Sequence, residues 1–473
     1  MGIFEPYRIT SSRAISQEPP LGHILTAGAA RVDITPPLNI PYLGFVPRHA
    51  LFSGVHDPLY ARAIVVESGG NRVAILSADS IGWSQGIAGE GRDFVADVRT
   101  RITRACGIPG DHVLVGATHA HSTPETIGLR RLLDNPGACA WIEDMIDRLA
   151  SAVVQADRDR APAIPRQASG QIDGLSWNRR MVGTDGSLFN WQNRPEDSGI
   201  ADWGRNDHEA VVILFERGGR PDIVMVHYAC HPVTVQVQPL VSADFPGVAA
   251  RFVESAGIGC RHCLFLQGAC GDVNPVRVTT DFRDVERYGL MLAGEAIKQI
   301  QIALDAEAGQ DTHAVGAASR TVVLPSRELP PLHEAADAHA EGASRVASAS
   351  DGRDRAREER ALLGLTERLE RVRRGARDVP AEVQVIRIDD FAFVAIPGEP
   401  FVEMGLSIKR DARAPHALCL GYANGWVGYL APPSAWEQGG YEVSLGTWSI
   451  VGPAAHGLLL DAALELVSEM WSR

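Results

Sequence analysis

Residues 112–124 read HVLVGATHAHSTP, and this stretch decides the fold class of the chain. Its first half is an apolar run of the length of a buried strand, and its second half changes to histidine and hydroxyl side chains. Buried strands that end in polar residues are typical of α/β proteins, which place their chemistry at strand ends. We therefore expect a sheet whose strands carry the functional residues at their termini.

The sequence before this stretch alternates strands with a helix. RAIVVES (62–68) and RVAILSAD (72–79) have the apolar runs of two buried strands. GRDFVADVRTRITRAC (91–106) has apolar residues at helical spacing, so it predicts an amphipathic helix ahead of the third strand. The buried face of that helix is expected to consist of Phe94, Val95, Val98 and Ile102.

The same alternation continues after the stretch. A helix is predicted over about 140–156, and strands are predicted over AVVILFER (210–217), IVMVHYACH (223–231) and CLFLQGACGD (263–272). Over 330–380 the composition changes to Ala, Glu, Arg and Leu, which predicts a helical hairpin with solvated charges and no catalytic role. Further strands and a short amphipathic helix end the chain. The pattern predicts an α/β fold, with a mixed β-sheet core flanked by helices and an inserted helical hairpin.

Composition and charge indicate an ordinary globular protein of 473 residues, 45% hydrophobic and 22% charged. The formal net charge is -13. No basic cluster carries interleaved aromatic side chains, so we expect neither nucleic acid nor an anionic membrane surface as a partner. These properties fit a soluble protein that handles small molecules.

The compartment is predicted from the amino-terminal residues and the cysteines. The first residues lack the apolar stretch of a signal peptide, and we expect no transmembrane segment because no later stretch has the length of a span. The seven cysteines show no framework spacing, which suits a reducing compartment. Cys260 and Cys263 form a lone CxxC that we interpret as two thiols before a buried strand. The expected location is cytoplasmic.

Two histidines, His119 and His121, flank Ala120 at the predicted strand end. HxH is a common metal-binding arrangement, and the neighbouring hydroxyl side chains could orient the two rings. The side chains share one face if the strand continues and are staggered if it turns. The alternative, two strand-end histidines exposed to solvent, stays open on this pattern alone.

Other candidate residues also stand at strand ends or turns. His231 precedes Pro232, which predicts that the strand stops there with the imidazole in a cleft. His227 is interpreted as structural, because positions four apart on a strand are too distant to share one metal. Glu399 in IPGEPF lies on a Gly-containing turn after an apolar run and could be a metal ligand or a base, although turn glutamates are common.

Two tyrosines, Tyr429 and Tyr441, bracket the segment that ends in EQGGYE. Either phenol could bind a metal or donate a hydrogen bond to an oxyanion. Ordinary half-buried packing is the other interpretation, and the residues alone do not choose between them.

Taken in chain order, these segments resemble the catalytic domain of the neutral (non-lysosomal) ceramidase family. The motifs are AARVDITPP with Gly44, HDPLYARAIVVE, VAILSAD, GIPGDHVLVGATHAHSTP, WNRR, YACH, GDVNP, IPGEP and YANGWVGYLAPPSAWEQGGYE. The shared order is more specific than any single motif. The resemblance starts near Ala27 and implies one catalytic domain over 27–473 after an N-terminal extension, residues 1–26. The family's C-terminal β-sandwich domain and secretory signal are expected to be absent.

By this resemblance the cofactor would be Zn²⁺. The implied zinc ligands are His119, His231, Glu399 and Tyr429. Such a set of nitrogen and oxygen donors suits a catalytic zinc that keeps one position for water.

The resemblance also implies catalytic and substrate-binding roles. His121 would be the general base or the acid for the leaving group, Tyr441 would hold the oxyanion, and Arg179 beside Asn178 in WNRR would bind substrate. In GDVNP the family carries a serine that has been proposed to take part in amide cleavage, and this chain carries Asn274 there. An amide cannot replace a nucleophilic hydroxyl, but it can donate a hydrogen bond to substrate or oxyanion.

The expected function is a zinc-dependent hydrolase that cleaves the carbon–nitrogen bond of an N-acyl substrate with metal-activated water. Because Asn274 replaces the serine, the resemblance does not require ceramide as the substrate. Two alternatives stay open: a zinc-dependent ester or lactone hydrolase, and a catalytically silent member that binds metal or ligand. The expected partner is a small N-acyl or lipid-like molecule, and self-association as a homo-oligomer is left open.

Overall fold

The structure, a computed structural model, describes residues 24–41, 51–129, 132–190, 196–235, 238–305 and 313–472. Gly44 of the opening motif and residues 1–23 of the expected N-terminal extension lie outside the described residues.

The strands, in chain order, are β1 Thr26–Asp33, β2 Gly54–Val55, β3 Tyr60–Ser68, β4 Asn71–Ala78, β5 Val113–Ala117, β6 Ala161–Pro162, β7 Ile164–Gln171, β8 Ser176–Asn178, β9 Met181–Gly183, β10 Leu188–Phe189, β11 Ile200–Asp202, β12 Glu209–Glu216, β13 Asp222–Tyr228, β14 Leu240–Val241, β15 Cys260–Gln267, β16 Val273–Pro275, β17 Val315–Leu324, β18 Val379–Ile388, β19 Phe391–Ala395, β20 Glu399–Pro400, β21 His416–Leu420 and β22 Tyr429–Leu430. The α-helices are α1 Phe94–Cys106, α2 Ala138–Arg158, α3 Asp244–Ser255, α4 Phe282–Asp305, α5 Leu332–Ser348, α6 Gly352–Arg374, α7 Val402–Asp411, α8 Pro433–Gln438 and α9 Ala454–Trp471. Short 3₁₀ turns lie at Gln85–Ala88, Gly110–His112, Leu132–Asp134 and Asp197–Gly199.

Three mixed sheets form the framework. Their strand orders are β5-β4-β3-β1-β6, β15-β13-β12-β7 and β17-β18-β19-β21. Each sheet is largely antiparallel but contains one parallel pair, namely β4 with β5, β13 with β15, or β19 with β21. The expected mixed β-sheet core flanked by helices is confirmed.

Each parallel pair is part of a strand–helix–strand unit. The connecting helices are α1, α3 and α7, since parallel neighbours need a long crossover connection. In the first unit the Asp93 side chain accepts from the Ala96 N–H at the start of α1, and Gly107 ends the helix with φ 75°. The buried face of α1 consists of the four predicted residues, Phe94, Val95, Val98 and Ile102.

The three sheets share one apolar core. Ile64 and Ile75 of the first sheet, Met225 of the second, and Phe393 and Leu418 of the third belong to the same buried cluster. Helices cover the opposite faces: α1 and α2 pack on the first sheet, α3 and α4 on the second, and α7 and α9 on the third. This arrangement explains why the central strands read as nearly continuous apolar runs, because both of their faces are buried.

The predicted hairpin is present as α5 and α6. It is inserted between β17 and β18, which pair in antiparallel fashion from Val315 opposite Ile388 to Leu324 opposite Val379. A small apolar cluster of Ala335, Leu369 and Val372 joins the two helices and contacts Leu445. The hairpin therefore extends a β-hairpin of the third sheet and touches the loop that follows Tyr441.

The strand that carries the HxH motif ends at Ala117. His119 has φ 68°, in the left-handed region that non-glycine residues seldom occupy. Of the two predicted arrangements, the chain adopts the turn, so His119 and His121 do not lie on one strand face.

None of the helices within the described ranges has both the length and the apolar character needed to cross a membrane.

Candidate metal centre

The carboxyl ends of the three parallel pairs converge at one place. His119 follows β5, and His231 lies three residues after β13 ends at Tyr228. Glu399 is the first residue of β20, just beyond β19, and it is paired in parallel with Tyr429 of β22. Residues that are far apart in the chain thus meet because strand–helix–strand units bring their carboxyl ends to the same edge.

The two buried histidines present their Nε2 atoms to each other at 3.1 Å. Each Nδ1 lies 2.6 Å from a backbone carbonyl oxygen, that of Ile81 for His119 and that of Cys270 for His231. A carbonyl oxygen only accepts, so each Nδ1 must carry the hydrogen and, in a neutral ring, Nε2 carries a lone pair. Two facing lone pairs repel each other, and a cation between them removes that repulsion.

Both imidazoles are neutral at physiological pH. Burial lowers the pKa of His119 to about 3. The pKa of His231 is also lowered to about 3, first by burial and second by the positive charge of Arg179. Neutral imidazole is the form that binds a metal.

Glu399 adds an oxygen to this pair. Its Oε2 lies 3.5 Å from the Nε2 atoms of both His119 and His231, and it makes no hydrogen bond within the described part of the chain. Its Oε1 accepts from the indole N–H of Trp426 at 3.1 Å. Burial raises the pKa of Glu399, while His119 and Arg179 oppose that rise. An unpaired buried carboxylate oxygen is costly, and a metal ion would satisfy it.

Tyr429 and His121 complete the group. Tyr429 is buried, and its hydroxyl accepts from an Nη of Arg179 at 3.1 Å. His121 is partly buried, with its Nε2 3.3 Å from the Nε2 of His119. Nitrogen atoms of His119, His121 and His231 all lie within 4.8 Å of one another, so these three histidines could hold a metal ion. The donors present, imidazole nitrogen with carboxylate and phenol oxygen, fit zinc.

Arg179 connects several of the predicted residues. Its Nε donates to the carboxylate of Glu442 at 2.8 Å, and one Nη donates to the side-chain oxygen of Asn274 at 3.2 Å. The second carboxylate oxygen of Glu442 accepts from Arg180 at 2.5 Å. Both arginines and Glu442 are buried. Glu442 therefore pairs with two adjacent buried guanidinium groups, one through each carboxylate oxygen, and fixes the direction of Arg179.

Asn178 lies next to Arg179 but is already engaged. Its amide nitrogen donates to Asp272 at 2.7 Å and to the carbonyl of Arg205 at 2.8 Å, and its oxygen accepts from the Arg180 N–H at 2.8 Å. Asn178 therefore helps to hold Asp272 and Arg180 in place, and its contact with substrate stays a prediction.

Tyr441 is the most exposed of the predicted residues, at 39%. Its ring stacks on Trp448 with centroids 4.7 Å apart and meets Tyr429 edge to face at 6.0 Å. It therefore lies at the open side of the group, next to the buried tyrosine.

His227 lies elsewhere. It is buried in β13, and its Nε2 lies 2.9 Å from the carbonyl oxygen of Cys419. This contact agrees with the structural interpretation of His227.

The three mixed sheets with their helices define an α/β protein. Nitrogen and oxygen donors meet at the ends of its parallel strands, and they form a candidate metal centre of the kind that metal-dependent hydrolases use. A family model described as neutral/alkaline non-lysosomal ceramidase, N-terminal, matches residues 25–280, and the chain belongs to this family. It is accordingly a hydrolase of the ceramidase type.

Individual relatives agree with this membership. The neutral ceramidase of Mycobacterium tuberculosis is 23% identical over 514 aligned positions, which cover 94% of this chain and 77% of that protein. The neutral ceramidase of Drosophila melanogaster is 34% identical over 111 residues, or 23% of this chain and 15% of that protein. The crystal structure of neutral ceramidase from Pseudomonas aeruginosa has a TM-score of 0.66 at 17% identity, covering 94% of this chain and 75% of that one. A ceramidase structure described as complexed with C2 has a TM-score of 0.68 at 16% identity, covering 95% of this chain and 76% of that chain. The two structures share the fold.

Trp426 and Glu442 are among the residues of this group that sequence reasoning missed. Trp426 lies within YANGWVGYL, and Glu442 directly follows Tyr441. Their proximity to predicted residues was the only available signal. Nothing in the pattern indicates that the indole bonds Glu399 or that the carboxylate joins Arg179 to Arg180.

Proposed function

We propose that this chain is a zinc-dependent hydrolase that cleaves the amide bond of an N-acyl small molecule. The observation that carries the proposal is the convergence of the Nε2 atoms of His119 and His231 on the unpaired buried Oε2 of Glu399. The proposed ligands are His119, His231, Glu399 and Tyr429.

When bound, zinc supplies Lewis-acid polarisation of a carbonyl and acidification of water. The chain's own residues would supply the rest of the chemistry. The ligand imidazoles would hold their orientation through the carbonyls of Ile81 and Cys270, which accept from Nδ1 and leave Nε2 as the donor atom.

His121 would transfer the proton. It is the least buried of the three histidines, and its Nε2 points towards the ligand His119. An imidazole in this position can take a proton from the attacking water and give it to the departing nitrogen, which is the general acid–base task of amide hydrolysis.

Arg179 and Asn274 would face the substrate carbonyl. The oxygen of Asn274 accepts from Arg179, so the amide nitrogen is the end of this side chain that would donate to an oxyanion. Tyr441, at the exposed side, would supply a second donor. This arrangement needs no protein nucleophile, in agreement with an asparagine at the position where the resemblance implies serine.

The substrate class follows from this chemistry. An amide leaving group needs a proton, which His121 would deliver, whereas an ester leaving group needs less assistance. We therefore favour an N-acyl amide over an ester or lactone. Ceramide is one such amide, and the absence of the serine favours other N-acyl compounds.

The test combines metal analysis with a matched substrate panel. The purified full-length chain should contain about one zinc ion. It should hydrolyse N-acyl amides faster than the corresponding esters, lose activity with a chelator and regain it with Zn²⁺. His119→Ala should abolish zinc binding and turnover, whereas His313→Asn should change neither, because His313 pairs with Asp389 at the start of β17. A chain without metal, or zinc retained with no hydrolysis of any acyl compound, would refute the proposal.

A further inference from the structure

Tyr422 lies at the centre of the segments that carry the proposed ligands, yet no motif assigns it a role. It follows β21 in the sequence GYANGW, is fully buried and has φ 57°. A tyrosine seldom adopts this left-handed backbone, because its Cβ then crowds the following carbonyl. Such strain persists only where the surrounding contacts fix the conformation.

The ring of Tyr422 is packed against a proposed ligand. It stacks on the imidazole of His119 with centroids 3.8 Å apart and planes 20° from parallel. It also meets the ring of His231 edge to face at 6.1 Å. The hydrogen bond from Nδ1 to Ile81 fixes one direction of the His119 ring, and the stacking fixes the ring plane.

The hydroxyl of Tyr422 connects to the second histidine through Cys270. The phenol oxygen lies 3.2 Å from the Sγ of Cys270, and the carbonyl of the same cysteine accepts from the Nδ1 of His231 at 2.6 Å. A closed series of contacts thus runs from His119 through Tyr422 and Cys270 to His231. Both Tyr422 and Cys270 are fully buried.

The backbone of Tyr422 reaches two of the ligand-bearing segments. Its N–H donates to the carbonyl of Gly398 at 2.9 Å, next to Glu399, and its carbonyl accepts from the Ala117 N–H at 3.2 Å, two residues before His119. With the left-handed backbone of Tyr422, these bonds and the ring are all directed at the same group of proposed ligands.

We propose that Tyr422, together with Cys270, is a positioning residue of the metal centre that holds the rings of His119 and His231 in the orientation that binds zinc. This inference rests on the proposed function for the identity of the ligands. It adds that the affinity for metal depends on a buried aromatic ring that is not itself a ligand.

The experiment measures zinc affinity by competition of the full chain with a chromophoric chelator. Tyr422→Leu keeps a Cβ, and therefore the backbone strain, but removes the stacked ring. We expect the zinc Kd to rise about 10- to 100-fold, the usual effect of losing a group that orients a ligand. Tyr422→Phe keeps the ring and loses only the bond to Cys270, so the Kd should rise by less than in Tyr422→Leu, and Cys270→Ala should match Tyr422→Phe.

A matched control separates positioning from general stability. Tyr288 is also buried, and its hydroxyl accepts from the Arg277 N–H at 3.0 Å, outside this group of contacts. Tyr288→Leu should lower the melting temperature of the metal-free chain without changing the zinc Kd.

Three outcomes are informative. Parent-like zinc affinity in Tyr422→Leu would overturn the inference while leaving the proposed function intact, and failure of the parent to bind zinc would overturn both. If Tyr422→Leu does not fold, the zinc Kd values of Tyr422→Phe and Cys270→Ala test the inference. A raised Kd in both supports the inference, and parent-like values in both overturn it.

Discussion

The Nε2 atoms of His119 and His231 lie 3.1 Å apart, and the Oε2 of Glu399 lies 3.5 Å from each of them. Both rings are neutral, and both Nδ1 hydrogens are directed at carbonyl oxygens. Three electron-rich atoms therefore face one another in a buried space. The arrangement is unfavourable for the metal-free fold and favourable for a cation, so metal binding and stability should respond in opposite directions to the same substitution.

Glu399→Gln tests that opposition. The variant should lose zinc affinity, because a neutral amide is a weaker metal ligand than a carboxylate. Its metal-free form should be more stable than the metal-free parent by about 1–3 kcal/mol, since the new N–H groups can donate to an imidazole lone pair. Urea unfolding in the presence of a chelator measures the second effect. A metal-free variant less stable than the parent would show that the carboxylate is not under strain.

His121→Ala separates the acid–base role from the ligand role. We expect zinc content close to that of the parent and a loss of amide turnover, since proton transfer by such a group contributes about 10²–10⁴-fold to a rate. Metal analysis and kinetics on the same preparation give both values. Because His121 belongs to the cluster of three histidines that could hold a metal, an equal loss of zinc and activity would instead identify it as a ligand.

Glu442→Gln should destabilise the protein and impair catalysis together. The carboxylate forms an ion pair with both Arg179 and Arg180, and removal of one partner from a buried ion pair costs about 3–5 kcal/mol. Arg179 would also lose its orientation towards Asn274 and Tyr429, so kcat/KM should fall. Glu465→Gln is the control, because Glu465 pairs with Arg320 at the surface, where such pairs contribute about 0–1 kcal/mol. Equal unfolding free energies for the two variants would contradict the prediction.

His227 gives a pH-dependent prediction outside the metal centre. Burial, with Lys409 as the next cause, lowers its pKa to about 4, and Asp207 and Glu209 oppose this shift. The unfolded histidine, with a pKa of about 6.5, binds a proton first as the pH falls. The contribution of His227 to the free energy of unfolding is therefore fully present above pH 6.5. It is lost as the pH falls towards 4, at up to about 1.4 kcal/mol per pH unit. In His227→Gln the free energy of unfolding should therefore depend less steeply on pH between 6.5 and 4, as measured by urea titrations at several pH values. Identical slopes against pH for the parent and the variant would contradict the prediction.

Much of the fold could be predicted from the sequence because each element carries its own pattern. The apolar runs before His119, His231 and Glu399 indicated strands, and the helical spacing over 91–106 indicated α1. Both patterns are formed by residues that are close together in the sequence. Local patterns could not predict that the three sheets share one core. That arrangement depends on pairs of strands that are distant in the chain, such as β13 and β15, which are separated by a helix.

The candidate site was less accessible to sequence reasoning for the same physical reason. Its proposed ligands come from four distant segments, and only the family resemblance joined them. No local sequence pattern indicated which residues the supporting side chains contact. Tyr422 stacks on His119, which lies 303 positions earlier in the chain. Trp426 follows β21 in the chain and donates to Glu399, which precedes β21.

Asn274 provides the last prediction, since its amide could serve either as a donor or only as a partner of Arg179. If it donates to the oxyanion, Asn274→Ala should lower kcat by about 10²–10³-fold with a small change in KM, the usual effect of losing one such donor. Asn274→Ser restores a hydroxyl donor and should recover part of the rate on the same amide. Asn274→Asp keeps the contact with Arg179 but offers no N–H, so it should behave like Asn274→Ala. Steady-state kinetics of the three variants measure this difference, and a fully active Asn274→Asp would show that the amide nitrogen does not assist the reaction.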